Sequence, residues 1–306
     1  MERLHEQEIA FIVVLQQFSP ALDLLALAIT FLGDEPFFLL ALPLVYWCID
    51  RSVGARLAIA VLVSGWANGM LKLAFDSPRP PAVDARIEEI RTARGGGIPS
   101  GHAQNTAVFW GYLAAAFRRP WLWALCAVLV AAVSVSRLYL GVHFPTDLIT
   151  GIVVAAGLIL AIVFAGPHIQ ARLATSPMRV RVIAALGVPG ALLLSSAGDP
   201  IALRAGAALL GLATGLVIER RWVRFSPAGA PVVKRALAWL LGTAVLVLLW
   251  LGLVPVLNQI LEPVAAGIAG YISLGLWVGA GAPALFVALG LYGASAPHHR
   301  GPLRQN

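Results

Sequence analysis

The residues best suited to chemistry lie in three short stretches, each at one end of an apolar run. These stretches are KLAFDSPRP at residues 72–80, PSGH at residues 99–102 and SRLYLGVHFPTD at residues 136–147. Together they offer cationic side chains, two imidazoles and carboxylates. This combination suits the binding of an anion followed by nucleophilic attack and proton transfer.

Three cations in these stretches are candidates for binding a phosphate group: Lys72, Arg79 and Arg137. A charge that reaches the centre of a transmembrane helix costs on the order of 2.5–3.5 kcal/mol, so an anionic partner is expected for each. Arginine offers a planar, two-pronged donor and lysine a compact charge. Pro78 and Pro80 stiffen the backbone around Arg79. Taken alone, Lys72 could instead extend its ammonium group to the membrane surface.

Ser100, Gly101 and His102 open a predicted helix that follows a glycine-rich loop. Free backbone N–H groups and the positive end of the helix dipole bind anions at such a start, and glycine lets a ligand approach the backbone closely. We therefore expect Ser100 and Gly101 to contact the phosphate and His102 to act as general acid and base. Taken alone, the stretch also fits a simple turn and helix cap.

His143 and Asp147 are four residues apart, a spacing that places both side chains on one helical face. A carboxylate bonded to one ring nitrogen fixes the imidazole tautomer and leaves the other nitrogen free to attack. We expect His143 to be the nucleophile and Asp147 to orient it. The predicted reaction is phosphoryl transfer through a phosphohistidine, with side-chain cations in place of a metal or other cofactor. A single histidine inside a membrane would more often serve helix packing.

The three stretches together resemble the three-part signature of the type 2 phosphatidic acid phosphatase superfamily, the lipid phosphate phosphatases. The matching positions are Lys72, Arg79, Pro80, Ser100, Gly101, His102, Ser136, Arg137, His143 and Asp147. The resemblance implies a six-helix catalytic core, here about residues 20–165, and the phosphohistidine mechanism. A weaker likeness is to the branch of sphingosine-1-phosphate and glucose-6-phosphatases. It is carried by LGDEPFF at residues 32–38, VGARL at residues 53–57 and Asn68.

Transmembrane helices must hold these stretches in place. The chain of 306 residues is 59% hydrophobic and 12% charged, about half the charge of a soluble domain, and apolar runs of about 20 residues recur along it. The predicted fold class is an all-α polytopic membrane protein, a six-helix phosphatase core with about four additional C-terminal transmembrane helices. The expected divisions are an N-terminal interfacial helix at 1–19, the catalytic core at 20–165 and an additional helical block at 166–306.

Apolar runs and proline positions predict the individual spans. We expect core spans near residues 20–33, 36–50, 53–74, 102–117, 121–140 and 145–165, and later spans near 179–197, 200–218, 235–254 and 264–292. Pro283 should kink the last span or mark a re-entrant turn.

VDARIEEIRTAR at residues 83–94 predicts a solvated surface helix or, alternatively, a lid over a lipid headgroup. Asp34 and Glu35 should cap the second span.

The distribution of charge between loops predicts the orientation. With ten spans, about two thirds of the 22 Lys and Arg residues lie on the side opposite the three stretches, which predicts that this side is cytoplasmic. Both termini are then cytoplasmic, and the active site faces the outside, the periplasm if the membrane is a bacterial inner membrane. The first residues lack the features of a cleaved signal peptide.

The leading functional prediction is a metal-independent phosphatase that acts on a lipid phosphate or pyrophosphate of polyprenyl, phosphatidyl or sphingoid type. The alternatives are a sugar-phosphate phosphatase, a lipid phosphotransferase and, outside the enzymes, a transporter that only recognises the phosphate headgroup. The expected partners are the bilayer and its lipids, and no basic stripe points to nucleic acid.

The block at 166–306 could wall a lipid-sized cavity, form a homodimer surface or have another role. GLATG and GLWVG within it favour ordinary close packing of helices.

Overall fold

The computed structural model describes residues 2–93, 95–196 and 198–294. Helices dominate this part of the chain, and six of them are long and apolar enough to cross a membrane. A bent pair, Asp23–Gly33 with Glu35–Ile49, adds a candidate for a seventh span. The prediction of an all-α polytopic membrane protein is therefore confirmed.

The described residues of the first half form eight helices. They are α1 (Glu2–Gln16), α2 (Asp23–Thr30), α3 (Glu35–Pro43), α4 (Arg51–Phe75), α5 (Pro80–Val83), α6 (Gly101–Phe117), α7 (Pro120–Tyr139) and α8 (Pro145–Thr175). A 3₁₀ turn, Phe31–Gly33, follows α2, and a π-helical segment, Leu44–Ile49, extends α3. The bounds from α3 onward agree with the predicted spans within a few residues, except that α8 continues beyond residue 165.

The described residues of the second half form six more helices: α9 (Met178–Leu194), α10 (Pro200–Ile218), α11 (Val232–Leu248), α12 (Val254–Leu257), α13 (Pro263–Leu276) and α14 (Ala282–Ala288). The π-helical segments Glu219–Val223, Leu249–Leu253 and Trp277–Gly281 follow α10, α11 and α13. The last of these segments directly precedes Pro283, where a kink was predicted. Two strands of two residues, β1 (Phe225–Ser226) and β2 (Gly293–Ala294), pair antiparallel.

Proline and capping residues determine where several of these helices begin. Proline occupies the first turn of α7, α8, α10 and α13, where its missing N–H leaves no hydrogen bond unmade. Asp50 caps α4 by accepting hydrogen bonds of 2.8 Å from the backbone N–H groups of Ser52 and Val53. Asp199 caps α10 in the same way, through the N–H of Ala202 at 2.7 Å.

The candidate site residues lie at one end of four antiparallel helices. Lys72 is in the last turn of α4 and Arg137 in the last turn of α7, whereas His102 and Asp147 are in the first turns of α6 and α8. We call this end of the bundle the site end. The chain leaves the site end in α6 and α8 and returns to it in α4 and α7, which brings distant stretches together.

The N-terminal helix also lies at the site end. Glu8 in α1 accepts a hydrogen bond of 2.9 Å from the backbone N–H of Thr146 at the start of α8. Ile9 and Ile12 pack with Phe144 and Leu148. The expectation that both termini lie opposite the site is therefore wrong for the N-terminal helix. The β1–β2 pair that ends the described chain lies at the opposite end, beyond α10.

Residues 20–33, expected to be the first span, do not cross the bundle. Asp23 at the start of α2 accepts a hydrogen bond of 2.6 Å from Tyr139, and Thr30 at its end accepts one of 2.9 Å from Arg137. Both partners belong to the last turn of α7. Because both ends of α2 contact the same end of α7, the helix lies across the site end, and the first crossing segment is α3.

The predicted surface helix at 83–94 is absent over residues 84–93, and Arg94 lies outside the described residues. Asp84 turns its carboxylate onto the backbone N–H of Arg86 at 2.8 Å, a local bond that competes with helix formation. Gln16 of α1 both donates to and accepts from the backbone of Glu88, at 2.8 and 3.0 Å. Ile87 is buried against Ile9 and its neighbours. These contacts hold the segment as a loop over the site end.

The helices after α8 pack closely against one another and against the core. A Cβ atom at Gly211 would overlap the carbonyl group of Ile272, and one at Gly275 would overlap that of Ala208. The small residues of GLATG and GLWVG therefore permit close helix contact, as predicted. On the core side, Trp47 donates a hydrogen bond of 3.0 Å to the carbonyl oxygen of Val278.

Candidate active site

His143 lies buried in the short loop between α7 and α8. Its Nδ1 is 3.0 Å from Oδ2 of Asp147, and the same oxygen accepts the backbone N–H of Phe144 at 2.9 Å. Gly141 makes the loop possible, with a φ of 72° and no room for a Cβ atom against the Glu88 carbonyl. The carboxylate contact favours the tautomer with its proton on Nδ1, which leaves Nε2 free to attack.

The surroundings of His143 favour its neutral form. Burial is the main reason that the pKa of its imidazole lies well below the ordinary value, and the charges of Lys72, Arg79 and Arg137 lower this pKa further. Arg79 also donates to the carbonyl oxygen of Val142, the residue before His143, which holds this cation beside the loop of the ring. A neutral imidazole is the form that can act as a nucleophile.

His102 has a carboxylate partner of its own, Asp34. Nε2 of His102 is 2.9 Å from Oδ1 of Asp34, and Arg91 donates to both oxygens of Asp34 at 2.9 and 3.1 Å. Burial raises the pKa of Asp34, but the hydrogen bonds from His102 and Arg91 outweigh that effect and hold it at about 2. The ionised carboxylate partly offsets burial and the charge of Arg137, which both disfavour a protonated His102 ring.

Asp34 was missed as a site residue by the sequence reasoning, which gave it a capping role. Its side chain makes no capping hydrogen bond to α3. The signal that could have revealed it is the glycine before it, because a Cβ atom at Gly33 would lie 2.7 Å from the ring of His102. Glycine is needed there for the histidine to pack against this turn. Arg91 belongs to the stretch that was predicted as a surface helix.

Carbonyl groups of the glycine-rich loop hold two of the three cations. Lys72 donates to the carbonyl oxygens of Gly96 and Gly97, the latter at 3.2 Å. Arg79 donates to the carbonyl oxygen of Gly95 at 2.9 Å and to that of Val142 at 2.6 Å. The loop therefore brings the first stretch to the second, and Arg79 joins both to the loop that carries His143.

Two buried donors near these groups have no hydrogen-bond partner among the described residues. They are Nε of Arg137 and the hydroxyl of Ser100. Arg137 uses another of its nitrogens to donate to Thr30 at 2.9 Å. Buried polar atoms are nearly always paired in folded proteins, so unpaired donors beside a cationic cluster indicate a place for an anion.

A buried polar network fixes the backbone of the PSGH stretch. Asn68 donates to the carbonyl oxygen of Pro99 at 3.1 Å and to the side-chain oxygen of Gln104 at 2.9 Å. Gln104 in turn donates to the carbonyl oxygen and the hydroxyl of Ser64, both at 2.9 Å. The backbone N–H of Ser100 donates to the carbonyl oxygen of Asp147 at 2.9 Å, which joins the starts of α6 and α8.

The structure therefore brings the eight predicted site residues to one end of the bundle: Lys72, Arg79, Ser100, Gly101, His102, Arg137, His143 and Asp147. Ser136, which matches the signature, turns away and donates to the carbonyl oxygen of Val133 at 2.7 Å. Pro80 begins α5, directly after Arg79. Arg79 and Arg137 thus act with Lys72 as a cationic cluster around a buried imidazole, an arrangement suited to holding a phosphate beside a nucleophile.

Family models match two parts of the chain. The model described as "PAP2 superfamily" matches residues 54–168. The model described as "PAP2 superfamily phosphatase, transmembrane extension" matches residues 203–295. The first match contains all eight site residues, and the second covers most of the helices from α10 onward.

Similar curated proteins carry phosphatase names. A "Probable sphingosine-1-phosphate phosphatase" of Dictyostelium discoideum is 32% identical, over 51% of this chain and 42% of that protein. Sphingosine-1-phosphate phosphatase 2 of Mus musculus is 31% identical, over 42% of this chain and 38% of that protein. Glucose-6-phosphatase 3 of Mus musculus is 29% identical, over 47% of this chain and 49% of that protein. This chain thus matches less than half the length of each of the three.

Among solved structures, the chain is similar to a transmembrane PAP2 type phosphatidylglycerolphosphate phosphatase from Bacillus subtilis. The TM-score is 0.46 and the sequence identity is 20%, over 55% of this chain and 88% of that chain.

Proposed function

We propose that this chain, which belongs to the PAP2 superfamily, is an integral-membrane phosphatase that hydrolyses a lipid phosphate through a phosphohistidine. The observation that carries the proposal is the buried contact of 3.0 Å between His143 and Asp147, together with the cations that act on that imidazole. A buried neutral imidazole oriented by a carboxylate and surrounded by positive charge is suited to attack on a phosphate.

In the first step, Nε2 of His143 attacks phosphorus and the bond between phosphorus and the lipid oxygen breaks. Lys72, Arg79 and Arg137 hold the other phosphate oxygens and stabilise their charge. The leaving alkoxide takes a proton from His102. Because Nε2 of His102 faces Asp34 at 2.9 Å, its Nδ1 is the nitrogen that exchanges this proton.

In the second step, water attacks the phosphohistidine. His102, now neutral, takes the proton from the water at Nδ1, the bond between phosphorus and His143 breaks, and inorganic phosphate leaves. Asp147 stabilises the positive charge that the His143 ring carries while it holds the phosphoryl group. Both histidines return to their starting protonation states, and no group outside the chain supplies or takes electrons.

A lipid substrate follows from the surroundings of the site. Three of the four helices that carry site residues, α4, α7 and α8, are long and apolar enough to cross a membrane, so a substrate that already lies in the bilayer can reach the site from the side. A sugar phosphate would have to enter from water. A lipid phosphotransferase would use the same first step, with an alcohol in place of water in the second.

Charge also supports a site on the non-cytoplasmic face. Among the described residues, the end of the bundle opposite the site carries more Lys and Arg residues than the site end. They are Arg51, Arg56, Arg118, Arg119, Arg172, Arg179, Arg181, Arg220, Arg221, Arg224, Lys234 and Arg235, twelve residues, against Arg3, Lys72, Arg79, Arg86, Arg91, Arg137 and Arg204, seven residues. We therefore infer that the opposite end is cytoplasmic and, if the membrane is a bacterial inner membrane, that the site opens to the periplasm.

The test is phosphate release by purified protein in detergent that contains EDTA. We expect release from lipid phosphates, inhibition by vanadate and, after rapid acid-free quenching, a phosphoryl label on the protein. His143→Ala should abolish both release and label while binding of a lipid phosphonate persists. If the protein were a transporter that only recognises the headgroup, the wild type would bind the lipid phosphonate but release no phosphate. That result would overturn the proposal.

A further inference from the structure

A mostly apolar cavity of about 230 Å³ lies between the core and the later helices. Phe38 of α3 and Leu62 of α4 line it from the core side. Ala208 and Leu212 of α10 and Leu274 of α13 line it from the other side. The helices matched by the transmembrane extension model thus form one wall of the cavity.

Two residues that line the cavity, Glu35 and Asn105, are close in sequence to the pair of Asp34 and His102. Asn105, which lines it, is three residues after His102 in α6, so the two side chains share a helical face about 4.5 Å apart along the axis. Glu35, which also lines it, follows Asp34 in the chain. A molecule whose phosphate sits beside His102 can therefore extend its remaining part into this space.

Polar side chains lie at the mouth of the cavity, where it approaches the site end. Tyr271 donates a hydrogen bond of 2.6 Å to Glu35, and the guanidinium of Arg204 lies 5.7 Å from the centre of the Tyr271 ring. Glu35 and Arg204 are exposed, whereas Ala208 and Leu212 deeper in are buried. The order from polar mouth to apolar interior matches the order from headgroup to chain in a membrane lipid.

We propose that this cavity binds one hydrocarbon chain of the phosphorylated lipid, so that the transmembrane extension selects the substrate by its chain. This inference rests on the proposed phosphatase function and names its substrate class. A cavity of about 150 Å³ accommodates benzene, so one of about 230 Å³ holds roughly nine carbon atoms.

A hydrocarbon chain suits the walls better than a sugar does. The apolar side chains that line the interior lack contacts when the space is empty, and methylene groups supply them. Sugar hydroxyls would lose their hydrogen bonds to water against such walls, because the polar groups lie only at the mouth and at Asn105. The substrate class is therefore a phosphate ester of a long-chain lipid alcohol.

The experiment compares butyl, octyl and dodecyl phosphate as substrates of the purified protein in one detergent. We expect kcat/KM to rise with chain length up to about nine carbons and then level off. Ala208→Leu fills part of the cavity and should lower kcat/KM for dodecyl phosphate at least about tenfold, because excluding two methylene groups costs about that much affinity. The value for butyl phosphate should stay within about twofold.

Ala213→Leu is the matched control, since Ala213 lies on the same helix but does not line the cavity. It should leave all three substrates unchanged. Gly65→Ala is a milder variant, because its added Cβ would contact that of Ala205 at an ordinary 3.4 Å. The inference would be overturned if Ala208→Leu lowered kcat/KM equally for all three substrates while Gly65→Ala stayed active. It would also be overturned if kcat/KM of the wild-type protein did not depend on chain length.

Binding of butyl and dodecyl phosphonate, which have no ester bond to hydrolyse, separates the two proposals. If the protein releases no phosphate but binds dodecyl phosphonate more tightly, and Ala208→Leu removes that preference, the phosphatase proposal fails and the chain site stands. If the protein releases phosphate but chain length affects neither rate nor binding, the phosphatase stands and the chain site fails. A bilayer lipid that fills the cavity permanently would give this second result.

Discussion

Nε2 of His102 lies 2.9 Å from a carboxylate oxygen of Asp34, although 68 residues separate them in the chain. The other histidine of the site has its carboxylate on the opposite ring nitrogen, since Nδ1 of His143 faces Asp147. Each carboxylate thus occupies one nitrogen of its histidine and leaves the other for chemistry. Burial favours the neutral form of both rings, and ionised Asp34 partly offsets this effect at His102, the ring that must donate a proton.

Asp34→Asn should lower kcat about 10²-fold for an alkyl phosphate while KM changes little, because His102 then loses the charge that stabilises its protonated form. With p-nitrophenyl phosphate, whose leaving group needs no proton, the loss should be much smaller. Steady-state kinetics with both substrates measures the difference. Asp84→Asn is the control, since the carboxylate of Asp84 pairs with Arg86 in the loop. Equal losses for both leaving groups would mean that Asp34 serves structure alone.

Asp147→Asn should reduce phosphohistidine formation about 10⁴-fold, because an amide disturbs the tautomer and no longer stabilises the charged ring of His143. The rate of labelling in a rapid-quench experiment measures this directly. The backbone carbonyl of Asp147 still accepts from Ser100 in this variant, so the joined starts of α6 and α8 are retained. Labelling at the wild-type rate would exclude Asp147 from a role in orienting the nucleophile.

Arg137→Lys should weaken vanadate binding about tenfold or more, because a lysine cannot replace the two-pronged guanidinium whose Nε is unpaired among the described residues. Inhibition curves with vanadate measure the change. Thr30→Val is the control for position. It removes the hydrogen bond that Arg137 donates at 2.9 Å but keeps the guanidinium, so its effect on vanadate should be smaller. If Thr30→Val weakened vanadate more than Arg137→Lys, the guanidinium would not be the anion ligand.

Contacts between residues close in sequence could be predicted from the sequence, and the contact of His143 with Asp147 is the clearest case. A spacing of four residues places two side chains on the same helical face, whatever the rest of the fold is. The positions of the spans could also be predicted from the sequence, because apolar runs and prolines at helix starts are local features of it. The predicted bounds of α4, α6 and α10 therefore differ from the observed ones by only a few residues.

Contacts between residues far apart in sequence could not be predicted in the same way. The sequence around Asp34 fits a helix cap, and the glycine before it indicates a close approach without identifying His102 or Arg91 as the partners of this carboxylate. The same limit explains the first span. Residues 20–33 are apolar enough to cross, but Tyr139 and Arg137 hold both ends of α2 at the site end. The loop at 84–93 has helical spacing of charges, yet Gln16 binds its backbone.

The last prediction concerns the ion pair between Arg51 and Glu219, which joins the core to the extension opposite the site. Arg51 donates to Glu219 at 2.9 Å and to the carbonyl oxygen of Phe225 at 3.0 Å, and the Glu219 side chain is only 1% exposed. Arg51→Met leaves that carboxylate buried without its partner and should cost about 3–5 kcal/mol of folding free energy. The double variant Arg51→Met with Glu219→Leu should recover most of this loss, because an apolar pair leaves no charge to solvate. Thermal unfolding in one detergent, followed by tryptophan fluorescence, compares the three proteins. A double variant no more stable than Arg51→Met would mean that the hydrogen bond to Phe225, and not the charge pair, joins the two parts.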